Sequence, residues 1–414
     1  MNRRSVLIVC NRVPYPLKDG GALAMYAMIQ GWQEQGWEVH VLAMNTSRHR
    51  VAHAQLPELF RQIASFEMVD VDTDIRWSRV FGNLMLSRKP EHAQRFFKKE
   101  FARRLKVLVQ QVRPALIQFE SIYLHEYMPE LRRISGDALI VQRLHNVEHE
   151  IWARLARQTT GALKKAYLEN LARRIAVYER QVWSECDAVI PITQKDADYI
   201  RHSNIDTPQI VIPYGMHWSD TESEIPGGRW KAYHIGAMDW KPNAEAMDWM
   251  RDAIVPAVQA RVKEFTFDFA GRSMPERFLN REQSSSFNCC GEVADAQAFI
   301  ADKQILIVPL KSGSGLRVKT LEAMAAGKLV ISTSVGIQGI DALDNIHFLK
   351  ADTASEFADK LEWVMQHPQA AQRIVANAKD LLRAHHSLPA LMQQLSVFTD
   401  TLFVSQHKKT VTVS

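Results

Sequence analysis

Ser5–Cys10 opens the pattern of the chain: a short apolar run, rich in Val and Ile, of the kind that forms a strand buried on both faces. Pro14, Pro16, Gly20 and Gly21 then punctuate a loop. Ala22–Gln35 follows with helical spacing, Met25, Met28, Ile29 and Trp32 falling on one side. Gly36 ends that helix, and Glu38–Ala43 reads as a second strand. Strand, glycine loop, helix, strand is the opening of a parallel α/β unit. The pattern continues through strands predicted at Met68–Val71, Leu116–Phe119, Leu139–Leu144 and Ala188–Ile192, with helices over Phe96–Val112 and Ala162–Glu185. Val211–Gly215 reads as a strand end followed by a turn.

The polar stretch Ser219–Arg229 reads as a linker, after which the alternation begins again. Strands are predicted at Tyr233–Gly236, Thr266–Ala270, Ile305–Pro309 and Leu329–Thr333, and helices at Ala244–Val262 and Leu316–Ala326. An amphipathic run, Leu388–Phe403, closes the chain. No short-period repeat and no low-complexity segment interrupts this order. At 414 residues the chain exceeds what one hydrophobic core usually serves. The expected fold is therefore α/β: two parallel-sheet domains of comparable size with a cleft between them, binding ligands beyond the carboxyl ends of the strands.

Composition narrows the partners. Hydrophobic residues make up 46% and charged residues 23%, the balance of a globular chain with ample core. The net charge of +5 suits an anionic partner such as a phosphate, a nucleotide or a membrane surface without pointing to nucleic acid. Cys10, Cys186, Cys289 and Cys290 have neither metal-site nor disulfide-framework spacing, so reduced thiols and a reducing compartment are expected. The segment Met1–Cys10 lacks the apolar length of a signal peptide, and no run approaches the roughly 18 apolar residues of a membrane span. A cytoplasmic chain, meeting a membrane only from the side, is the expectation.

The richest chemistry lies in residues 308–327, Val-Pro-Leu-Lys-Ser-Gly-Ser-Gly-Leu-Arg-Val-Lys-Thr-Leu-Glu-Ala-Met-Ala-Ala-Gly. A buried strand runs into a glycine–serine loop that opens a helix, where backbone N–H groups and the helix dipole favour a phosphate. Arg317 and Lys319 add charge that opposes the dipole and calls for an anion. Glu322, about a turn further in, is placed to accept hydrogen bonds from two ribose hydroxyls. Gly313 and Gly315 alone would mark only a tight turn; the three charged side chains beside them carry the reading. Lys241, in residues 233–243, sits before Pro242 after another strand, with Asp239 and Asn243 as loop or cap residues, Asn243 capping the helix from Ala244.

Two more clusters follow strands. Gly20 and Gly21 permit close backbone approach to a ligand, although no G-x-G-x-x-G fingerprint follows the first strand. Arg143-Leu-His-Asn-Val-Glu-His149 comes at the carboxyl end of a strand, where a site should lie, and offers His145, Asn146 and Glu148 as candidate site residues. His145, Glu148 and His149 also have the donor types of a metal site, but no carboxylate-rich triplet accompanies them and no metal is expected. In Arg95–Arg113, Phe97, Phe101, Leu105, Leu108 and Val112 form one stripe. Arg95, Lys98, Lys99, Arg103, Arg104 and Lys106 crowd the rest. Such a helix either covers a core with its charges solvated or lies on an anionic membrane. No aromatic-and-basic motif of nucleic-acid binding accompanies it.

Leu321–Gly327, with Val330–Thr333 and Gly336, resembles the donor-site helix of the family-four retaining glycosyltransferases of the GT-B fold. Residues 233–243 resemble the first strand and loop of that family's C-terminal domain. The resemblance implies two Rossmann-like domains: residues 1–213 binding the acceptor, 214–387 binding a nucleotide-sugar, and a helix over 388–405 crossing back to the first domain. It implies that Glu322 holds the donor ribose, that Lys241, with Arg317 or Lys319, holds the departing diphosphate, and that His145 meets the donor sugar. The resemblance also implies that Gly20 and Gly21 approach the diphosphate or the acceptor and that Asn146 and Glu148 orient the acceptor. Family members carry a first glutamate that falls here at Ser314; the Gly-Ser-Gly-x-Arg-x-Lys branch replaces its contact with Ser314 and Gly315, followed by Leu316. The implied reaction moves a sugar from a UDP- or GDP-sugar to a glycan, lipid-linked or small-molecule acceptor. It retains anomeric configuration, needs no metal and serves bacterial-type cell-surface polysaccharide synthesis. A nucleotide-sugar epimerase on the same fold and a non-catalytic nucleotide-sugar-binding protein are the rival readings.

Overall fold

The structure, a computed structural model, describes residues 4–17, 19–74, 83, 87, 89–218, 230–263, 265–279, 286–313 and 316–413, with side chains to residue 407. The chain divides into two units: Met1–His217 together with Leu388–Ser414, and Trp218–Ser387. The expected linker Ser219–Arg229 lies outside the described residues.

The first unit holds six parallel strands: β1 Ser5–Cys10, β2 Glu38–Thr46, β3 Ser65–Val71, β4 Leu116–Phe119, β5 Leu139–Leu144 and β6 Ala188–Pro191. They lie in the order β3-β2-β1-β4-β5-β6. β1, β4, β5 and β6 are buried at every position, as runs without polar alternation require when helices cover both faces. The second unit repeats the plan with β7 Lys231–Ile235, β8 Thr266–Ala270, β9 Phe287–Cys289, β10 Ile305–Val308, β11 Leu329–Ser332 and β12 Leu349–Lys350, in the order β12-β11-β10-β7-β8-β9. In both sheets the first strand of the unit pairs with the second on one side and the fourth on the other. That is the doubly wound arrangement, whose order reverses at the first and fourth strands. The two six-stranded parallel sheets are the α/β class expected of the sequence.

Several boundaries differ from the sequence expectation, each for a local reason. The first helix spans Gly20–Glu34, so the glycine pair forms its first turn rather than a loop; the Asp19 carboxylate accepts from Ala22 N at 3.0 Å and caps it. The run expected as one helix over Phe96–Val112 is two, Glu91–Phe96 and Lys99–Val112. The Tyr127 hydroxyl enters the break, donating to Phe96 O and accepting from Lys98 N, each at 2.8 Å. Val211–Gly215 is not a strand. Ile210 and Ile212 still donate to carbonyls of β6, but Pro213 has no N–H with which to continue. The helix expected from Ala244 begins at Lys241 with Pro242 in its first turn and runs through a π turn at Met250–Ile254 to Gln259. Asn243 lies inside that helix, so it does not cap it; its amide donates to Ala237 O at 2.9 Å. The helix expected from Leu316 spans Val318–Ala325 with Arg317 at its N-cap position. The closing helix runs from Leu388 to Val413. Helices Ala354–Gln366 and Pro368–His386 were not expected from the sequence.

In Lys99–Val112, Phe101, Leu105 and Leu108 are buried in the first unit's core, while Phe97, just before the helix, remains 43% exposed. Four basic residues of this stretch face carboxylates: Arg95 with Glu91, Arg103 with Glu100, Arg104 with Glu67 and Lys106 with Glu130. The core-covering reading of the stripe is the one realised.

The closing helix packs on Gly20–Glu34 within the first unit. Leu388 N donates to Met216 O at 3.0 Å, and Met392 and Leu395 are fully buried. Gly31 makes the approach possible: a Cβ there would lie 2.4 Å from Met392 Cγ. Gly31→Leu is therefore expected to cost ~1–3 kcal/mol by overpacking and to lower Tm by several degrees in calorimetry. Adding Met392→Ala should restore part of the loss, which a purely helix-propensity effect would not allow.

Candidate functional site

The carboxyl ends of β1, β4 and β5 enclose a pocket of about 160 Å³ at the point where the first sheet reverses order. β1 leads into Asn11 and Arg12, β4 into Glu120–Tyr123, and β5 ends in Arg143 and Leu144 and leads into His145 and Asn146; Gly21, Met25 and Glu148 complete the wall. The sequence-predicted residues Gly21, His145, Asn146 and Glu148 thus share one pocket, while Gly20 is not among its lining residues. Gly21 leaves room for the Arg12 guanidinium, since a Cβ there would stand 2.8 Å from Arg12 Nη2 and displace the end of that side chain. Arg12 forks onto Asp19, Nη1 to Oδ2 at 2.9 Å and Nη2 to Oδ1. Burial would raise the Asp19 carboxyl, but hydrogen bonds from Arg12 and its charge outweigh that and hold it below the usual range.

The centre of the pocket is a residue that sequence reasoning missed. Glu120, directly after β4, is 2% exposed, and its Oε2 lies 2.8 Å from Nε2 of His145. Its Oε1 accepts from the Gln118 amide, and Gln118 Oε1 accepts from the Trp32 indole N–H at 2.9 Å. Indole nitrogen only donates, so Trp32 must meet the carbonyl of Gln118, and the Gln118 NH2 must then face Glu120. Burial raises the Glu120 carboxyl, yet the His145 hydrogen bond and the Arg143 charge more than offset it, leaving it ionised. An ionised Glu120 accepts at both oxygens, so His145 carries its proton on Nε2 and offers Nδ1 as an acceptor when neutral. Arg143 is itself fully buried, its guanidinium reaching Ala24 O at 3.4 Å. The signal for Glu120 was its place at the end of a buried strand, beside the switch point.

Glu148 and His149 are separated in role. The buried Glu179 carboxylate accepts from Glu148 N at 2.7 Å and His149 N at 3.2 Å, capping the helix Glu148–Gln158. It also bonds His149 Nδ1 at 2.6 Å, whose Nε2 meets Tyr199 Oη at 3.0 Å. His149 is thereby committed to the scaffold, and His145 to Glu120. Among the described residues no group of three or more His, Cys, Asp and Glu side chains is arranged to hold a metal.

In the second unit the motifs found in the sequence follow β7 and β10, the two strands where that sheet reverses. His234 ties the pair together, its Nδ1 2.9 Å from Ile307 O. A Cβ on Gly271 would lie 1.7 Å from Gly236 O, so the strand ends approach more closely than any side chain allows. Gly313 has φ +125°, a left-handed conformation that favours glycine, and a Cβ there would lie 2.7 Å from Arg317 Nη2 and 2.9 Å from the Trp240 ring. Arg317 stands over Trp240, 5.0 Å from the ring centroid, which joins the two loops by a cation–π contact. Lys319 pairs with Glu322 at 3.2 Å, and burial, with the Glu322 charge adding to it, raises the Tyr233 hydroxyl. Leu316 lies beside Gly339. Lys241 is 84% exposed and pairs with Glu245 at 3.2 Å. Ser314 and Gly315 lie outside the described residues.

The pocket carboxyl Glu148 yields a pH test. Burial and the Glu179 charge push it up to about 7 from 4.5. A raised carboxyl keeps its proton in the folded state where the unfolded chain has released it, so stability falls as pH rises from 4.5 towards 7. Glu148→Gln removes that loss, ~3 kcal/mol at full ionisation. Its Tm should exceed that of the parent by several degrees at pH 8 and match it near pH 4.5.

Comparison with known proteins completes the account. Residues 19–215 match the glycosyl transferase 4-like domain, and residues 230–367 match the glycosyl transferases group 1. No curated protein matches the chain in sequence. Among solved structures, HepE of Anabaena in complex with UDP is similar at 13% identity and TM-score 0.66, over 96% of this chain and 100% of that one. Sucrose-phosphate synthase of Thermosynechococcus elongatus aligns over 97% and 100% at 14% identity and TM-score 0.65. The pneumococcal O-GlcNAc transferase GtfA, solved with UDP and GlcNAc, aligns over 97% and 99% at 10% identity and TM-score 0.62. With its two domain matches spanning most of its length and the GT-B architecture in both sheets, the chain belongs to the glycosyltransferases of the GT-B fold, of the 4-like kind.

Proposed function

We propose that this glycosyltransferase moves a sugar from a nucleotide-diphosphate sugar to a glycan, lipid-linked or small-molecule acceptor, with retention of anomeric configuration and without a metal. The observation that carries the reading is the cluster after β10. There Gly313, Arg317, Lys319 and Glu322 stand at a strand-to-helix turn at the reversal point of their sheet. Such a turn presents backbone N–H groups to phosphate, and cations beside it offset the charge of a diphosphate. The Glu322 carboxylate takes the ribose hydroxyls, exchanging its Lys319 partner for them. UDP is the first nucleotide to test, because HepE and GtfA were each solved with UDP.

In this reading the second unit is the donor domain and the first the acceptor domain. Arg317, held by Trp240, and Lys241, which would leave Glu245, stabilise the departing diphosphate; Ser314 and Gly315 meet the donor, as the family resemblance implies. Gly20 and Gly21 let the ligand approach the first helix. Asn146 and Glu148 orient the acceptor. His145 presents Nδ1 to a hydroxyl of the sugar or acceptor, with Glu120 holding the ring. Glu120 is a positioning residue and no separate general base is required, because the leaving diphosphate takes the acceptor proton. The proposal includes a role in cell-surface polysaccharide assembly, which a glycan or lipid-linked acceptor would suit.

Differential scanning fluorimetry with UDP, GDP, ADP and their sugar conjugates tests the donor site. One nucleotide family should raise Tm by a few degrees at saturating concentration, and Glu322→Ala should abolish the shift. No shift with any nucleotide would remove the donor assignment. Binding without turnover on any acceptor would favour the non-catalytic reading, and release of an altered nucleotide-sugar without acceptor would favour the epimerase. Transfer measured with and without EDTA should proceed at the same rate.

A further inference from the structure

The helices Glu148–Gln158 and Ala162–Glu185 pack against each other as a hairpin whose turn, Thr159–Gly161, stands at the surface. From Ile151 to Leu168 the sequence contains no acidic residue, but it carries Arg154, Arg157, Lys164 and Lys165. Arg157, Lys164 and Lys165 are exposed and make no ion pair among the described residues. Leu163, beside the two lysines, is 91% exposed, and Leu155 on the facing helix is 42% exposed. A leucine so fully in water at the end of a cationic projection is unlike the single apolar residues scattered over any surface. The basic helix Lys99–Val112 offers the contrast: Phe101, Leu105 and Leu108 are buried, and Arg103, Arg104 and Lys106 each face a carboxylate.

We propose that this hairpin tip docks on an anionic lipid bilayer, with Leu163 entering the headgroup region and Arg157, Lys164 and Lys165 meeting lipid phosphates. The combination suits a bilayer, where apolar insertion and charge attraction act together on one flat surface. Among the described residues no helix is long and apolar enough to cross a membrane, so the contact is from one side. Glu148, on the wall of the first unit's pocket, begins the helix that leads to the tip. Eleven helical residues span ~16 Å, so a docked tip holds the pocket no further than about that length from the lipid surface. Under the proposed function, a lipid-linked acceptor would reach the pocket with its head group while its chain stays in the bilayer. The docking itself does not depend on the transferase reading.

Cosedimentation of the full chain with vesicles tests it. The protein should bind vesicles of phosphatidylcholine with about one-third phosphatidylglycerol, should not bind phosphatidylcholine alone, and should be released by high salt. The variant Leu163→Asp/Lys164→Glu/Lys165→Glu should lose about tenfold or more of its binding to the anionic vesicles. Its substitutions are exposed, so its Tm should match the parent. Arg103→Glu/Lys106→Glu, on the other basic helix, should bind as the parent does. Failure of the parent to bind anionic vesicles, equal binding to neutral ones, or unchanged binding by the triple variant overturns the proposal. None of these outcomes bears on nucleotide binding, which is read separately.

Discussion

Parallel strands that are wound in both directions from one central pair leave a crevice that nothing in the sheet itself fills. The crossovers on the two sides of β1 and β4, and of β7 and β10, depart to opposite faces, because each right-handed connection must return its helix to the sheet. The backbone ends of those strands therefore face open space, and what stands there is free to serve chemistry. Every candidate residue in the described parts of this chain lies on a segment that follows one of these strands or β5 beside them, or on the helix that segment opens. Glycines hold the crevices to shape. Gly21 admits Arg12, Gly271 admits the carbonyl of Gly236, and Gly313 admits both Arg317 and Trp240. At Gly271 and Gly313 a Cβ would push apart two segments that the site needs together, and at Gly21 it would displace the end of the Arg12 side chain.

Burial of charge is the second organising feature. Glu120 and Arg143 would each be costly to bury alone, since desolvation of an isolated ion far exceeds any single hydrogen bond. Placed in one pocket they compensate each other electrostatically, and the remaining lone pairs of Glu120 are taken by Gln118 and His145. The result is an imidazole whose orientation is set through Gln118 and Trp32, far back in the core. Glu179 does the same for scaffold rather than chemistry, capping a helix and holding His149. Two histidines four residues apart thus receive different tasks from two buried carboxylates. Removing either carboxylate would affect a different property: the pocket in one case, the helix start in the other.

The second unit uses a looser form of compensation. Arg317 at a helix N-cap position opposes the dipole and is held by an aromatic ring, and Lys319 leans on Glu322 within one turn. These are exchangeable contacts at partly exposed positions, suited to release in favour of an anion. The contrast with the locked Glu120–His145 pair is between a side chain oriented in advance and side chains waiting for a ligand.

The linear order of residues was enough to determine the α/β class, because β1, β4, β5 and β10 are short, predominantly apolar and fully buried runs separated by helical periodicity, and such runs point to a parallel sheet covered on both faces. It also located the loop after β10, since glycines next to Arg317, Lys319 and Glu322 are a local pattern. It misjudged the edges of helices where a distant group decides them: Tyr127 splitting Glu91–Val112, and Asp19 drawing Gly20 and Gly21 into a helix while bound to Arg12. Only the tertiary structure decided the partner of His145. Glu120, Gln118 and Trp32 come from two other segments, and no spacing in the chain announces that three buried polar groups will meet in a line. Strand pairing brings β4 beside β1 and β5, and that non-local contact, not any local propensity, gives the histidine its orientation.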